Sequence, residues 1–297
     1  MAKLNQEELC SGEKGYDMEI IKFIQSFSTP LLDGLFQLIT MLGEAPFFLL
    51  SLAVFLWCVD QEFGYKLGLA ILTSSVLNAG IKEVFQVPRP IGLPGIRSLR
   101  LETAGGYSFP SGHTQSATVF WVSVMLKSGK KWVWVLGSVL ILSVAVSRLY
   151  LGVHFPVDVI GGVGIGAVWV LISNGLFDYT LCTGKKEAFL LIFIPMYLGL
   201  YFVADVFYYK ITGAATGLIL GYLIERRYIQ YQVQAGFGRQ VCKIVLGLAG
   251  LVLVTILLKQ ALPETAFCDL LRYFLMGFWM TVLAPLLFKI LFKSEKA

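Results

Sequence analysis

Charged residues divide this chain into a succession of apolar runs, each close to the length at which a helix crosses a bilayer. The runs fall at 45–59, 63–86, 112–127, 131–151, 156–177, 187–204, 207–224, 241–261 and 269–292. They predict an all-α fold, a polytopic membrane helix bundle of about nine transmembrane helices. The segment 17–43 departs from the pattern. Pro30, Asp33 and Gly34 interrupt it, and its first half alternates charged with apolar residues. It reads as amphipathic helices lying in the membrane interface; a true span is the rival reading. Three regions follow: an N-terminal tail with interfacial helices over 1–43, a membrane core over 44–178, and a C-terminal group of helices over 179–297.

Composition agrees with this picture. Of 297 residues, 57% are hydrophobic and only 14% charged, the balance of a polytopic membrane protein rather than a soluble domain. The net charge of +5 does not call for nucleic acid. In a membrane protein it reflects basic cytoplasmic loops and attraction to anionic lipid heads, so membrane lipids are the expected partners. Five scattered cysteines, Cys10, Cys58, Cys182, Cys242 and Cys268, show no C-x-x-C spacing and read as buried thiols rather than a disulfide framework. The first sixteen residues carry Glu7, Glu8 and Glu13, the wrong flank for a cleavable signal peptide. No N-x-S/T sequon occurs.

Lysines and arginines are unevenly shared between the two sides of an alternating topology. Thirteen fall on the face holding the loops around 127–131, 185–186, 226–243 and 289–296, and eight on the other, once Lys82, Arg89 and Arg148 are set aside. The first face is expected to be cytoplasmic. On the seventh run Gly213, Gly217 and Gly221 repeat every four residues along one helix face. That face suits either close packing within the chain or the seam of a homodimer.

The chemistry is concentrated in three short stretches. Lys82 through Pro90 reads K-E-V-F-Q-V-P-R-P; Pro110 to His113 reads P-S-G-H; Ser147 to Asp158 reads S-R-L-Y-L-G-V-H-F-P-V-D. The chain's only two histidines, His113 and His154, both lie here. A charged side chain in hydrocarbon costs ~3 kcal/mol or more, so charges kept there are functional candidates. Lys82 and Arg89 are seven residues apart, which returns a helix to nearly the same face, so an ammonium and a guanidinium would point into one cavity if the helix persists that far before Pro88 and Pro90 end it. Ser111 is a natural helix N-cap, and the amides after it, with Gly112 allowing close approach, suit a phosphate. His113 is then placed to hand a proton to a leaving oxygen. His154 and Asp158, four apart, share a helix face, so Asp158 can hold one ring nitrogen protonated while the other attacks phosphorus. Arg148 adds a second guanidinium. Each feature alone has a plainer reading: snorkelling cations, a capped helix, a structural His–Asp pair.

Together the three stretches resemble the signature K-x6-R-P, P-S-G-H, S-R-x5-H-x3-D of the type 2 phosphatidic acid phosphatase superfamily, which also contains glucose-6-phosphatase and the vanadium haloperoxidases. Lys82, Arg89, Pro90, Pro110, Ser111, Gly112, His113, Ser147, Arg148, His154 and Asp158 match it without departure. The resemblance covers about residues 17–178. It implies a phosphatase core in the first five spans and a metal-independent enzyme without cofactor. In it His154 is the nucleophile that becomes phosphohistidine, Asp158 its orienting partner and His113 the general acid. Lys82, Arg89, Ser111, Gly112 and Arg148 hold the phosphoryl oxygens. The substrate expected is a lipid phosphate or diphosphate: phosphatidic acid, phosphatidylglycerol phosphate, an isoprenyl diphosphate or a sphingoid phosphate. Alternatives are a sugar phosphate, as in the glucose-6-phosphatase branch, and a transporter that binds phosphate without turnover. The three motifs lie on the less basic side, so the site is expected to face away from the cytoplasm. Residues 187–297 fall outside the resemblance and carry no assigned role.

Overall fold

The computed structural model describes residues 13–292. Glu7, Glu8 and Cys10 of the sequence reading, and the Lys3, Lys293 and Lys296 counted in its charge balance, lie outside the described residues. Among those described every regular element is helical. Helix α1 is Glu13–Ser26 and α2 is Pro30–Thr40, followed by a 3-10 turn, Met41–Gly43. Helix α3, Ala45–Val54, runs into a π-helical turn, Phe55–Val59. Helix α4 is Gln61–Phe85, α5 Gly112–Ser128, α6 Lys131–Tyr150 and α7 Pro156–Thr183. Then come α8, Leu190–Gly199, α9, Val206–Ile224, and α10, Phe237–Ala261. Helix α11, Ala266–Phe278, continues through a π turn into α12, Ala284–Leu291.

The starts and stops follow local chemistry. Thr29 caps α2 by accepting from the Leu32 N–H, with Pro30 at the first position, where its missing N–H is no loss. Asp205 and Thr265 cap α9 and α11 in the same way. Gly129 ends α5 in the left-handed region at φ 64°, with its N–H on the Met125 carbonyl.

Among the described residues five helices are long and apolar enough to cross a membrane, α4, α6, α7, α10 and the continuous Ala266–Leu291, or six if Pro30–Gly43 and Ala45–Val59 form one broken span. The chain is therefore an integral membrane protein with fewer full-length spans than its nine apolar runs predict. The clearest departure is 187–204. Only Leu190–Gly199 is α-helical there, ten residues with Pro195 inside. Proline cannot donate the helical hydrogen bond, and the Tyr208 hydroxyl bonds the Met196 carbonyl at 2.9 Å. Helix α5 is 17 residues long, short for a span. The cysteines also differ from expectation. Cys58, Cys182, Cys242 and Cys268 are free, but Cys182 and Cys242 are exposed and the other two only half-buried.

The chain packs as two units, each drawing on separate stretches. One comprises Ile81–Val168 with the N-terminal stretch up to Phe47; the other comprises Phe48–Gly80 and everything from Trp169 on. In the first, α2 lies along α6, where Phe36 meets Tyr150 with ring centroids 4.3 Å apart. Gln25 of α1 is buried and bonds the carbonyls of Arg97 and Tyr150 at 2.6 and 2.8 Å. Asp33 of α2 receives both terminal nitrogens of Arg97 and the Tyr150 hydroxyl. Glycines let α7 approach α5 closely. A Cβ at Gly162 would lie 2.8 Å from the Ser111 carbonyl oxygen, and one at Gly166 2.8 Å from that of Gln115.

In the second unit Trp57 is fully buried and donates from Nε1 to the Met280 carbonyl at 2.8 Å. Phe177, Phe189 and Tyr222 form an aromatic group beside it in the same core. The glycine face of α9 is covered within the chain. Gly213 and Gly217 abut the backbone of α11 at Leu270 and Phe274, and Gly221 abuts Thr281. That is the intrachain packing reading of the repeat, and it leaves this face unavailable as a homodimer seam.

A side chain at Gly217 must push α9 and α11 apart. Gly217→Leu is expected to lower stability by ~1–3 kcal/mol, the usual scale of overpacking, and so to lower the thermal midpoint in detergent. Gly175, also helical but with open space around its Cβ position, is the control: Gly175→Ala should leave the midpoint level or higher. Equal midpoints for the two variants would contradict the packing described.

Candidate active site

The site is built in the first unit from the end of α4, the loop 86–111, the head of α5, the end of α6 and the turn into α7. Helix α4 stops at Phe85, and Gln86 takes a left-handed backbone at φ 48°. The helix therefore does not persist to Arg89, and the shared helix face expected for Lys82 and Arg89 does not exist. The loop brings the two together instead. It is closed by the Ser108 N–H on the Val87 carbonyl at 2.7 Å. Lys82 Nζ bonds the Tyr107 carbonyl at 2.5 Å. Arg89 donates Nε to the Gly106 carbonyl, one terminal nitrogen to Gly105, and the other to Val153.

That last nitrogen of Arg89 also lies 2.9 Å from His154 Nε2. A guanidinium has no acceptor, so Nε2 must accept and is unprotonated. The imidazole proton then sits on Nδ1. Nδ1 faces Ser108 Oγ at 3.3 Å and Asp158 Oδ2 at 3.4 Å. His154 is essentially fully buried. Burial first, and then the charges of Arg89, Arg148 and Lys82, hold its pKa well below the usual histidine range, so the ring stays neutral at neutral pH.

The His154–Asp158 pair forms, but not as an i,i+4 contact along a helix. His154 lies in the turn before α7, which begins at Pro156. Asp158 reaches back instead: its Oδ2 accepts the Phe155 N–H at 2.7 Å, the return half of a capping box. The same oxygen accepts from Ser108 Oγ at 2.5 Å. The Asp158 carbonyl accepts the Ser111 N–H at 2.9 Å, which joins the turn to the head of α5.

Ser111 occupies the N-cap position of α5, yet its side chain caps nothing; its Oγ accepts from Thr114 Oγ1 at 3.1 Å. The amides of Gly112 and His113 open the helix, where N–H groups have no intrahelical acceptor. Arg148, at the end of α6, is fully buried. One terminal nitrogen bonds Thr40 Oγ1 at 2.9 Å, while Nε and the other terminal nitrogen are buried without a partner. Its charge acts on both His113 and His154. Two unspent guanidinium nitrogens beside both imidazoles are donors suited to a phosphoryl group.

Four residues of this neighbourhood were not singled out from the sequence. Ser108 bridges His154 and Asp158; Thr40 holds Arg148; Glu44 faces His113 Nε2 at 3.6 Å; Arg100 grips Glu44 through two nitrogens at 2.8 and 2.9 Å. Ser108 sits two residues before the P-S-G-H stretch and had that much of a signal. The others lie far from their partners in sequence and had none. Among the described residues no three His, Cys, Asp or Glu gather where they could hold a metal ion.

Known proteins resemble this chain over the region that builds this geometry. A family model described as PAP2 superfamily matches residues 63–181, and a second, PAP2 superfamily phosphatase, transmembrane extension, matches 209–296. The second covers helices to which the motifs alone assign nothing. An undecaprenyl-diphosphatase of Sulfolobus acidocaldarius is 30% identical, over 62% of this chain and 89% of its own length. Phosphatidylglycerophosphatase B of Bacillus subtilis is 31% identical, over 54% of this chain and 83% of its own. A probable sphingosine-1-phosphate phosphatase of Dictyostelium discoideum is 29% identical over 71% of this chain, but only 58% of its own length is spanned. The chain belongs to the PAP2 superfamily, as a phosphatase that carries the family's transmembrane extension.

Proposed function

We propose that this protein is a membrane-embedded phosphatase that hydrolyses the phosphate monoester or diphosphate of a lipid through a phosphohistidine on His154. The observation that carries the reading is the state of His154. Its Nε2 lone pair is unprotonated and turned toward Arg89, while its Nδ1 proton faces Asp158 and Ser108. A histidine that served only as a structural link would not need its outer nitrogen kept unprotonated among cations. The printed names of the relatives, which act on undecaprenyl diphosphate, phosphatidylglycerophosphate and sphingosine 1-phosphate, support a lipid over a sugar phosphate.

The reaction runs in two displacements. An arriving phosphoryl group takes over the Arg89 N–H that holds Nε2 and the two free nitrogens of Arg148, with Lys82 and the amides at Gly112 and His113 adding donors. The Nε2 lone pair attacks phosphorus as the bond to the leaving oxygen breaks, and that oxygen takes a proton from His113. Asp158 stabilises the imidazolium that forms. Water then attacks the phosphohistidine, gives its proton to His113, and releases phosphate and neutral His154. The phosphatase core proposed is 44–178, with the helices from 179 on as an extension. Helices α3, α5, α8 and α9 are read as short crossings beside the five longest, which keeps the nine alternating crossings expected from the sequence, and α1 and α2 as interfacial. The distribution of Lys and Arg supports a site facing away from the cytoplasm.

His154→Ala is expected to abolish phosphate release while the protein still folds; activity within tenfold of the parent would sink the nucleophile assignment. Ser108→Ala removes a hydrogen bond to the orienting carboxylate, worth ~1.5–3 kcal/mol for a charged acceptor. A fall in kcat of roughly tenfold to a hundredfold should follow, and an unchanged kcat would remove Ser108 from the relay. For sidedness, single cysteines at Gly105 and Lys185, in a background lacking the native five, can be probed in intact cells. A membrane-impermeant thiol reagent should label position 105 and spare 185; the opposite pattern reverses the topology.

A further inference from the structure

The N-terminal segment does more than border this site. The 3-10 turn after α2 lies directly against the head of α5. A Cβ at Gly43 would stand 2.9 Å from both Cβ and the carbonyl oxygen of His113, so only a glycine lets the turn sit there. The next residue, Glu44, is extended, with φ −105° and ψ 158°. Its carboxylate turns to His113, with Oε1 3.6 Å from Nε2. Both oxygens are gripped by Arg100, through Nε at 2.8 Å and a terminal nitrogen at 2.9 Å. Arg100 is itself fixed, in a left-handed backbone at φ 55° from which the 3-10 turn Leu101–Thr103 starts. The three side chains are 14%, 13% and 17% exposed, so water screens them little.

We infer that Glu44, oriented by Arg100, is a positioning residue that holds the His113 imidazolium in place as the proton donor. This rests on His113 being the general acid. The charges facing His113 define the problem. Burial first, and then Arg148 at the end of α6 and Arg89 from the loop, oppose a positive ring, and the Glu44 carboxylate is the negative group among its neighbours. Glu102, two residues on from Arg100, acts on Arg100 rather than on the ring. An imidazole between two guanidiniums gives up its proton unless a carboxylate compensates, and a neutral ring has no proton for the leaving oxygen. With Nε2 turned to Glu44, Nδ1 is the nitrogen left to donate. In the first displacement the Nδ1 proton moves to the leaving oxygen, and Nε2 keeps its proton, facing the carboxylate. In the second, Nδ1 takes the proton of the attacking water. Glu44 itself touches neither substrate nor reacting atoms.

The test uses the full chain in detergent with two probes, dodecyl phosphate and p-nitrophenyl phosphate, whose leaving group needs no proton. General-acid help is worth ~10²–10⁴-fold. Glu44→Gln should therefore lose about a hundredfold or more in kcat/KM on dodecyl phosphate, and at least about tenfold less on the nitrophenyl ester. In a His113→Ala background the same substitution should add almost nothing, since the two act as one unit. Arg100→Gln keeps the carboxylate but frees it and should show a smaller split of the same sign; it carries the test if Glu44→Gln fails to fold. Equal losses on both probes, additive with His113→Ala, would make Glu44–Arg100 a structural tie and overturn the inference. His113→Ala separates the two levels. If that variant itself shows no split, the acid assignment has failed; if it splits and the Glu44 and Arg100 variants do not, only the positioning role has failed.

Discussion

One carboxylate holds the site together. Asp158 accepts from Ser108, from the Phe155 amide and beside His154 Nδ1, all on the same oxygen, while its own carbonyl holds the Ser111 amide. The side chain thereby fixes the turn that carries one histidine, and the main chain fixes the helix head that carries the other. Gly162 and Gly166 make this possible by letting α7 lie against the first turns of α5. Two imidazoles separated by 41 positions are set by one residue, so the geometry between the two rings does not depend on long lever arms.

The other half of the constraint comes from the N-terminal helices. Thr40 holds Arg148 and Glu44 holds His113 from the same short turn, and Asp33 and Gln25 anchor the loop strand at Arg97. A segment whose composition suggests a passive place in the interface thus holds two side chains of the site and the loop beside them. Its outward face is apolar, with Tyr16, Phe23, Leu31 and Leu38 exposed, and its inward face mixes the polar Gln25 and Thr40 with Ile21, Leu32 and Phe36.

Much of this was legible in the sequence. Lys82, Arg89, Ser111, His113, Arg148, His154 and Asp158 were named from spacing and chemistry, and the structure brings them to one place in the first unit. The glycine repeat of α9 was read as close packing or a dimer seam, and packs within the chain. What failed were inferences that assumed a continuous helix. Lys82 and Arg89 meet through a loop because Gln86 breaks α4, and Asp158 meets His154 by reaching back over a helix start. The hydropathic run 187–204 contains Pro195, and hydropathy does not register a missing amide. Glu44, Thr40 and Arg100 were invisible for a simpler reason. Each acts on a partner 56 or more positions away, and one sequence carries no record of which distant residues meet.

Arg89 is held by the carbonyls of Gly105, Gly106 and Val153, groups that fix a guanidinium without cancelling its charge. Arg148 is held by a hydroxyl. Carboxylate partners would have fixed these cations equally well and left the cleft electrically silent. Neutral ligands leave its positive potential projecting outward, focused by the low-dielectric walls around it. The first event such a cleft governs is encounter. An anionic headgroup is drawn in before any hydrogen bond forms, and added salt slows its arrival more than it hastens its escape.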